Sequence, residues 1–598
     1  MAAGLTLIFG VTRIVNFAHG SFFMLGALVS AHLVGVWHPG WANDPWLYAL
    51  AMLLGAGSAG LAGALSEIVL LRRMYAVPEL YQLVATFGLS LVMHDAMQWG
   101  FGSNEIFAPR FPGLVGSVEL WGEFFPQYQL VTIVLGPLAW VGLYLLLHRT
   151  GFGRQLRAAT LDRGMLSALG VNPRPLMLGA VLLGCALAGL GGALQIPREP
   201  ANLQMDVGVV VETFVVVVTG GLGSIAGAFC AALLIGLIHT FGMALVPQAT
   251  LVLVFLTMAV VLVLRPQGLF GRTTDISAPA AAQKFHLPRP GWSQLGCVAV
   301  VALALGGWYG GVYWSALAAD GLILLLFGLS LQSMMALGGL VSFGHAAYYA
   351  LGAYGAALAH QHLNFGLVAA LCAGCVLAFA VAAVFGTMVV RSAGVYLAML
   401  SLAMAQIVWA IATQWISLSG GDNGLIGLHL VADDQQGLFL ALLVALALGA
   451  VWSLQRLARS SFGAALQAVR DAPERAAASG LPTARIRYRI FVQSAVVAGL
   501  AGGLFAAHKG SVFPSVASVA NSLDALLVVL MGGVHHLWGA VAGSVLLVWA
   551  DAELGRGFEY WRGALGLVVM LVMVLAPGGL LGMVHRFRIA LPAVPGLR

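Results

Sequence analysis

Charged residues are scarce in this chain of 598 residues, because Asp, Glu, Lys and Arg together make up only 8% of it. A soluble domain normally carries about a quarter charged residues, so the composition excludes that class. Hydrophobic residues make up 60%, and apolar runs long enough to cross a bilayer recur along the chain. These runs are continuous rather than alternating, unlike those of a transmembrane β-barrel. We therefore predict an all-α polytopic membrane protein.

Cysteine, lysine and nucleotide-binding motifs are also rare or missing. The five cysteines lie in apolar surroundings, which excludes the polar setting of a redox or metal site. The only lysines are Lys284 and Lys509, and the net charge of +6 is accounted for by arginines in cytoplasmic loops, without a nucleic acid partner. No G-x-x-x-x-G-K-[ST] motif occurs. We expect no enzyme activity, catalytic residue, metal or cofactor in this chain.

The chain contains an internal repeat. Residues 16–27, NFAHGSFFMLGA, match residues 342–353, SFGHAAYYALGA. Further pairs follow in the same order: 150–170 with 460–480, 188–194 with 498–504, 219–228 with 531–540, and 265–271 with 576–582. Such order predicts two homologous, pseudo-symmetric permease-like modules in tandem, as in many transporters.

A polar, Pro- and Ala-rich stretch separates the two repeats. We assign residues 1–271 to the first module, 272–292 to a cytoplasmic linker, 293–584 to the second module and 585–598 to a cytoplasmic tail. The first module has no counterpart of residues 316–326, so we expect its first helix to be incomplete. A start codon assigned too far downstream is the explanation we favour; a truncated helix is the alternative.

Two Arg-rich loops, 150–170 and 460–480, have the same design. Each begins with a glycine-containing break, continues as a short amphipathic helix and ends at a glycine, which is a C-terminal signal. A helix presented once per module suits docking to a twofold-like partner, although a helix lying on anionic lipid is the simpler alternative. The candidate docking residues are Gly153, Arg157, Asp162, Gly170, Gly463, Arg470, Glu474 and Gly480.

The repeated His segments interrupt apolar runs with polar residues, at Asn16 and His19 and again at Ser342 and His345. Polar groups at membrane depth usually face protein or a cavity, so these segments are candidate helix breaks along a transport pathway. An equally good interpretation is that each His binds local backbone groups at a helix junction. A metal site is not indicated, because no Cys or carboxylate cluster accompanies either His.

A few acidic residues lie within apolar segments: Glu67, Asp95, Glu212, Asp320 and Asp524. Proton- or sodium-coupled carriers often place carboxylates there, which keeps an ion-gradient-driven secondary amino acid transporter as the alternative. These carboxylates do not recur at matching repeat positions, which weakens that alternative. A channel is a third possibility.

The opening GLTLIFGVTRIVNFAHGSFFMLGA resembles the LivH-type permeases of branched-chain amino acid ABC transporters. GLVSFGHAAYYALGAYGAAL (339–358), SFGAALQAVRDAPERAAASGL and MGGVHHLWGAVAGSVLL resemble the LivM-type partner permease. The chain thus resembles a fusion of two permeases that are usually separate, with one departure. The usual Gly-Gly-Leu-Gly-Ser of the LivM-type segment is Gly-Gly-Val-His-His at 532–536.

The resemblance implies a multi-pass protein of the bacterial inner membrane that forms the pathway of an ATP-driven importer working by alternating access. Two cytoplasmic ABC ATPase subunits would use the ATP and dock on loops 150–170 and 460–480. A periplasmic binding protein would deliver a branched-chain or related amino acid. Related permeases also carry urea and short amides, so the substrate stays open at this stage.

Overall fold

Twelve helices among the described residues are long and apolar enough to cross a membrane. The structure is a computed structural model that describes residues 1–75, 77–271, 285–287, 290–392, 394–576 and 578–583. Most of these residues are helical, which confirms the all-α polytopic class. The predicted tail 585–598 and most of the predicted linker 272–292 lie outside the described residues.

The helices of the first repeat follow the predicted pattern of apolar runs and polar breaks. They are α1 Ala2–Thr12, α2 His19–His32, α3 Pro45–Ser66, α4 Arg72–Met74, α5 Glu79–Phe101, α6 Gln127–Arg149, α7 Gly151–Leu161, α8 Arg163–Ala168, α9 Pro173–Gln195, α10 Met205–Gly220, α11 Ile225–Leu245 and α12 Thr250–Leu264. Short π-helical turns continue α2 over Leu33–Trp37 and join α3 to α4 over Glu67–Leu71. The glycine-rich turn 221–224 separates α10 from α11, and a 3-10 turn over Pro247–Ala249 separates α11 from α12.

The second repeat has a corresponding series preceded by one more helix. It comprises α13 Pro290–Tyr309, α14 Val312–Gly338, α15 His345–Leu363, α16 Leu367–Val389, α17 Gly394–Gln414, α18 Ile416–Ser419, α19 Gln436–Arg459, α20 Ser461–Asp471, α21 Pro473–Ala478, α22 Thr483–Lys509, α23 Val519–Gly532, α24 Gly539–Gly557 and α25 Trp561–Leu575.

Two small antiparallel sheets occur in the described loops. Strands β1 (Ser117–Leu120) and β2 (Glu123–Pro126) form a hairpin in register Leu120 to Glu123. The two turn residues, Trp121 and Gly122, both have positive φ, which matches the twist of a tight hairpin. The sequence analysis predicts no strands in this loop, because a hairpin of four-residue strands leaves little periodicity. Strands β3 (Leu425–Ile426) and β4 (Ser511–Val512) pair similarly.

The described residues group into two compact units whose bounds differ from those of the sequence repeats at α11, α12 and α25. The first unit combines Met1–Gly236 with Tyr560–Val574 and a short piece beginning at Gln267. The second unit combines Leu237–Pro266 with the described residues up to Glu559. Thus α25 belongs with the first unit, where the backbone N–H of Gly563 donates to Asp95 of α5. Helix α12 belongs with the second unit, where it packs on α17.

Glycines bring the central helices of the first unit into backbone contact. A Cβ atom at Gly26 of α2 would overlap the carbonyl oxygen of Gly189 in α9, and one at Gly192 would overlap that of Phe23. Helix α3 joins the same cluster, because a Cβ at Gly189 would overlap the side chain of Ala59. Small residues at helical spacing thus serve close packing, as the sequence indicates.

The second unit repeats this arrangement at corresponding positions of α15, α16 and α22. A Cβ at Gly352 would overlap the carbonyl oxygen of Gly499, and one at Gly502 would overlap that of Tyr349. A Cβ at Gly374 of α16 would in turn overlap the carbonyl oxygen of Gly352. The contacts involve backbone atoms, which cannot move aside by changing rotamer.

This packing predicts that Gly502→Ala lowers the free energy of unfolding by about 1–3 kcal/mol, the usual cost of overpacking. The matched control is Gly449→Ala in α19, where a Cβ would meet nothing within 4 Å. We expect the control to leave stability unchanged or to raise it slightly, because alanine favours helix. Thermal unfolding of both purified variants in detergent measures the difference. Equal melting curves would contradict the packing argument.

Candidate functional site: two helix connectors and two coupling loops

A six-residue connector between two helices leads into each repeated His segment. In the first unit, α1 ends at Thr12, Arg13 adopts a left-handed conformation with φ 59°, and α2 begins at His19. In the second unit, α14 ends at Gly338, Gly339 has φ 66°, and α15 begins at His345. We call residues 13–18 and 339–344 the helix connectors. Both boundaries fall at equivalent repeat positions, which confirms that the segments interrupt helices.

Hydroxyl groups from neighbouring helices bind the connector backbone. The N–H of Phe17 donates to Thr86 Oγ1 of α5 at 3.1 Å, and the N–H of Phe343 donates to Ser401 Oγ of α17 at 2.9 Å. Asn16 Oδ1 also accepts from the N–H of Ala18 at 3.0 Å. These bonds replace helical partners that the connector backbone lacks, a need that is acute away from water.

Both predicted histidines are buried at the start of a helix, and each uses one ring nitrogen locally. His19 Nε2 lies 3.3 Å from the carbonyl oxygen of Met1. His345 Nε2 lies 2.7 Å from Ser330 Oγ, and its ring stacks on Phe327 with centroids 5.6 Å apart. Ser494 Oγ, on α22, donates to the carbonyl oxygen of Ser330 at 2.6 Å. Each His thus contacts the preceding helix away from the junction, His19 before the start of α1 and His345 within α14.

The remaining polar atoms of these four predicted residues show a second shared feature. Asn16 Nδ2, His19 Nδ1, Ser342 Oγ and His345 Nδ1 are all buried, and none has a hydrogen-bond partner among the described residues. Native proteins leave few buried polar groups without a partner, so each such group calls for a physical explanation. Each connector, together with the histidine that follows it, therefore presents hydrogen-bonding atoms that the packed protein does not use.

The two Arg-rich loops, 150–170 and 460–480, are called the coupling loops below. Each forms two short helices rather than the single helix predicted. Helices α7 and α8 meet at Asp162, whose Oδ1 accepts from the N–H of Met165 at 3.0 Å. Helices α20 and α21 meet at Ala472, next to Pro473, which begins α21. The predicted glycine ends are confirmed, because Gly170 and Gly480 have φ values of 85° and 84°, which favour glycine.

The prediction that Gly153 and Gly463 break the chain is wrong. Both lie in the first turn of a helix that is N-capped three residues earlier, by Thr150 Oγ1 and by Ser460 Oγ. A Cβ at Gly153 would overlap the backbone of Leu147, and one at Gly463 would overlap the carbonyl oxygen of Leu457. Their role is to let the loop helix approach the preceding helix.

The exposed faces of the two coupling loops differ in chemistry. The first exposes apolar Leu161, Met165 and Leu169, with 86%, 63% and 74% of each residue exposed. The corresponding residues of the second loop are Asp471, Arg475 and Ser479, which are polar. The predicted docking residues Arg157 and Glu474 are exposed. The sequence analysis does not single out this apolar face, although its four-residue spacing is visible.

Arg470 and Arg163 face the protein. Arg470 has only 12% of its side chain exposed, and Nη1 donates to the carbonyl oxygen of Ala336 near the end of α14. Arg163 Nη2 donates to the carbonyl oxygens of Val11 and Thr12 at 2.9 and 3.2 Å, at the end of α1. Burial lowers the pKa of the Arg163 guanidinium, and the nearby Tyr75 opposes this shift. Sequence analysis does not single out Arg163, because its partners lie about 150 residues away.

The carboxylates that an ion-coupled carrier would use are engaged in the structure. Glu67 accepts from Tyr75 Oη at 2.7 Å, and Asp95 accepts from the N–H of Gly563. Asp320 pairs with Lys509 at 2.8 Å. Glu212 and Asp524 also have interactions.

Comparison with known proteins adds the family. The family described as branched-chain amino acid transport system / permease component matches residues 1–264 and again 313–577. The permease protein LivM of Escherichia coli K12 is 31% identical over 292 residues, which cover 44% of this chain and 68% of LivM. LivH of Salmonella typhimurium is 28% identical over 279 residues, which cover 46% of this chain and 90% of LivH. BraD of Pseudomonas aeruginosa is 28% identical, over 46% of this chain and 91% of BraD.

These relatives carry names of permease proteins of high-affinity branched-chain amino acid transport systems. The family matches the chain twice, and relatives of the LivM and LivH types each match just under half of it. Both findings agree with a fusion of LivH-type and LivM-type permeases. The apolar helices agree with a multi-pass protein of the bacterial inner membrane. The chain therefore belongs to the family of branched-chain amino acid transport system permease components.

Proposed function

We propose that this chain supplies both permease units of an ATP-driven importer of branched-chain or related amino acids. Two separate cytoplasmic ABC ATPases would dock on the coupling loops and use the ATP, and a periplasmic protein would deliver the substrate. The observation that carries the proposal is the paired coupling loop, built in the same way once per repeat, in a chain whose sequence has no P-loop. A helix pair presented once per repeat suits docking to a partner with matching twofold symmetry.

The helix connectors support a pathway role. Four buried polar atoms, on Asn16 and His19 in one half and on Ser342 and His345 in the other, have no hydrogen-bond partner among the residues described. Desolvating such groups costs roughly 1–3 kcal/mol each unless another molecule binds them. A transported amino acid carries hydrogen-bonding groups that could do so. The connectors would then act as matching pathway elements, one in each half of the chain.

An ion-gradient-driven carrier is the less favoured function. Asp320 already forms an ion pair with Lys509, and Asp95 binds a backbone N–H in a helix contact. Neither carboxylate has an acidic counterpart in the other repeat. Their engagement suits a structural role better than repeated binding and release of a proton or sodium ion.

Affinity purification from the native membrane tests the proposed assembly directly. We expect two P-loop ATPases to co-purify with the tagged chain and ATP to drive amino acid uptake when the complex is placed in liposomes with its binding protein. A chain that purifies without ATPases, yet moves amino acids under an ion gradient, would replace the proposal with the carrier alternative.

The exposed apolar face predicts that Leu161→Glu combined with Met165→Glu lowers ATPase co-purification at least about tenfold. Losing two apolar interface contacts costs more than the ~1.4 kcal/mol that a tenfold change in affinity requires. The amount of ATPase per permease, measured by quantitative mass spectrometry, reports the effect. Phe124→Glu is the control, because it charges an exposed apolar residue of the β1–β2 hairpin, which belongs to neither coupling loop. An unchanged ATPase ratio in the double variant would contradict docking on this face.

The second coupling loop needs a different substitution. Arg475 and Glu474 are exposed, whereas Arg470 is largely buried, so Arg475→Glu is the suitable charge reversal. We expect it to lower ATPase co-purification severalfold, and more at low ionic strength, because exposed ion pairs weaken with salt. Retention of wild-type binding at every salt concentration would exclude Arg475 from the interface.

The connector proposal predicts opposite effects for two serine variants. Ser342→Ala removes a buried hydroxyl with no partner among the described residues, so stability should stay equal or rise while transport falls about threefold or more. Ser401→Ala removes the acceptor of the Phe343 N–H and should lower the free energy of unfolding by about 1–3 kcal/mol. Thermal unfolding and liposome uptake measure both properties. Full transport by Ser342→Ala would remove that hydroxyl from the pathway.

A further inference from the structure

Each coupling loop directs one arginine to the end of the helix that precedes a connector. Arg163, the first residue of α8, binds the carbonyl oxygens of Val11 and Thr12. Arg470, near the end of α20, binds the carbonyl oxygen of Ala336. The connectors begin one residue after Thr12 and three residues after Ala336. In both units, therefore, a guanidinium joins the loop to the point where the membrane helix stops.

The two arginines do not occupy equivalent repeat positions. When loops 150–170 and 460–480 are aligned, Arg163 corresponds to Pro473, and Arg470 corresponds to Thr160. The same contact is thus made from different places in the two loops. Inheritance of one ancestral arginine does not explain it, which indicates that the contact itself is useful in both halves of the chain.

Helix ends explain why arginine suits this position. The last carbonyl groups of a helix have no partner within the helix, and they form the negative end of its dipole. A guanidinium offers several donors in a fixed plane together with a positive charge. The left-handed residue that follows each helix, Arg13 or Gly339, turns the chain away so that these carbonyls can be reached. At Gly339 the approach is close, because a Cβ there would lie 2.5 Å from Arg470 Cγ.

Further contacts hold each guanidinium in place. Arg163 lies over the ring of Tyr75, with its Cζ 5.0 Å from the centroid, and the Tyr75 hydroxyl donates to Glu67. Arg470 Nε pairs with Asp471 Oδ1 at 2.7 Å. Arg163 is thus held between Tyr75 and the end of α1, and Arg470 between Asp471 and the end of α14, so movement of either loop would pull on the helix end. Arg157, on the same loop as Arg163, is instead exposed.

We propose that Arg163 and Arg470 are positioning residues that transmit the displacement of each coupling loop to the neighbouring connector. The inference rests on the proposed function, because an ATPase must move the loops. An ATPase that shifts α7 and α8, or α20 and α21, would shift the end of α1 or α14 with them. The connector residues Asn16 and Ser342 follow within a few positions and would change their exposure to the pathway.

The test uses Arg163→Met combined with Arg470→Met in the full complex of permease, co-purified ATPases and binding protein. Methionine keeps an unbranched apolar stem and removes the charge and the donors. We expect ATPases to stay bound and ATP hydrolysis to continue, while transport per ATP hydrolysed falls about tenfold. The double Lys variant restores a charge and donors without the planar fork and should recover part of that ratio.

Arg174→Ala and Arg485→Ala are the matched controls, since both residues are exposed arginines just beyond the coupling loops. We expect both to keep the wild-type ratio. A merely structural role for Arg163 and Arg470 would reduce the yield of complex without changing transport per ATP in the complex that forms. A wild-type value of transport per ATP hydrolysed in the Met variant overturns the inference. If the Met variant does not assemble, a wild-type value in the Lys variant overturns it. Absence of ATPases from the wild-type preparation would instead overturn the proposed function.

Discussion

Backbone groups at an interrupted helix must find partners when water is absent, and this constraint organises the functional region of both units. A connector leaves carbonyl groups at the end of one helix and N–H groups before the next without helical partners. Thr86 and Ser401 bind the N–H groups, and Arg163 and Arg470 bind the carbonyls. The interruption is therefore stable only where other elements bring these side chains to it.

Close helix packing provides that arrangement. In the second unit, glycines bring α15 and α22 into backbone contact, and this proximity places Ser494 of α22 beside Ser330 and His345. In the first unit the same contact joins α2 to α9 at Phe23 and Gly26, one to two turns after the start of α2. Small residues thus set the distances within which a few polar groups can interact. Larger residues would separate the helices and leave the connectors without their supporting partners.

The two halves of the chain preserve backbone geometry more closely than surface chemistry. The helix boundaries at the connectors and the glycine contacts recur at matching positions, because a change there alters packing on several sides. The exposed faces of the coupling loops do not match: Leu161 and Met165 correspond to Asp471 and Arg475. Exposed residues are free of packing constraints, so the two faces can suit different surfaces on their partners.

Composition and local pattern were enough to determine the membrane class, the tandem repeat, the helix boundaries at His19 and His345, and the loop ends at Gly170 and Gly480. These features depend on hydrophobic run length or on the conformational freedom of single residues. Tertiary structure decided which residues meet. It turned Arg470 and Arg163 towards helix ends, gave Gly153 and Gly463 a packing role, and grouped α25 with the first unit and α12 with the second. Contacts between residues more than a hundred positions apart leave no periodic trace in the sequence, so only the folded chain could reveal them.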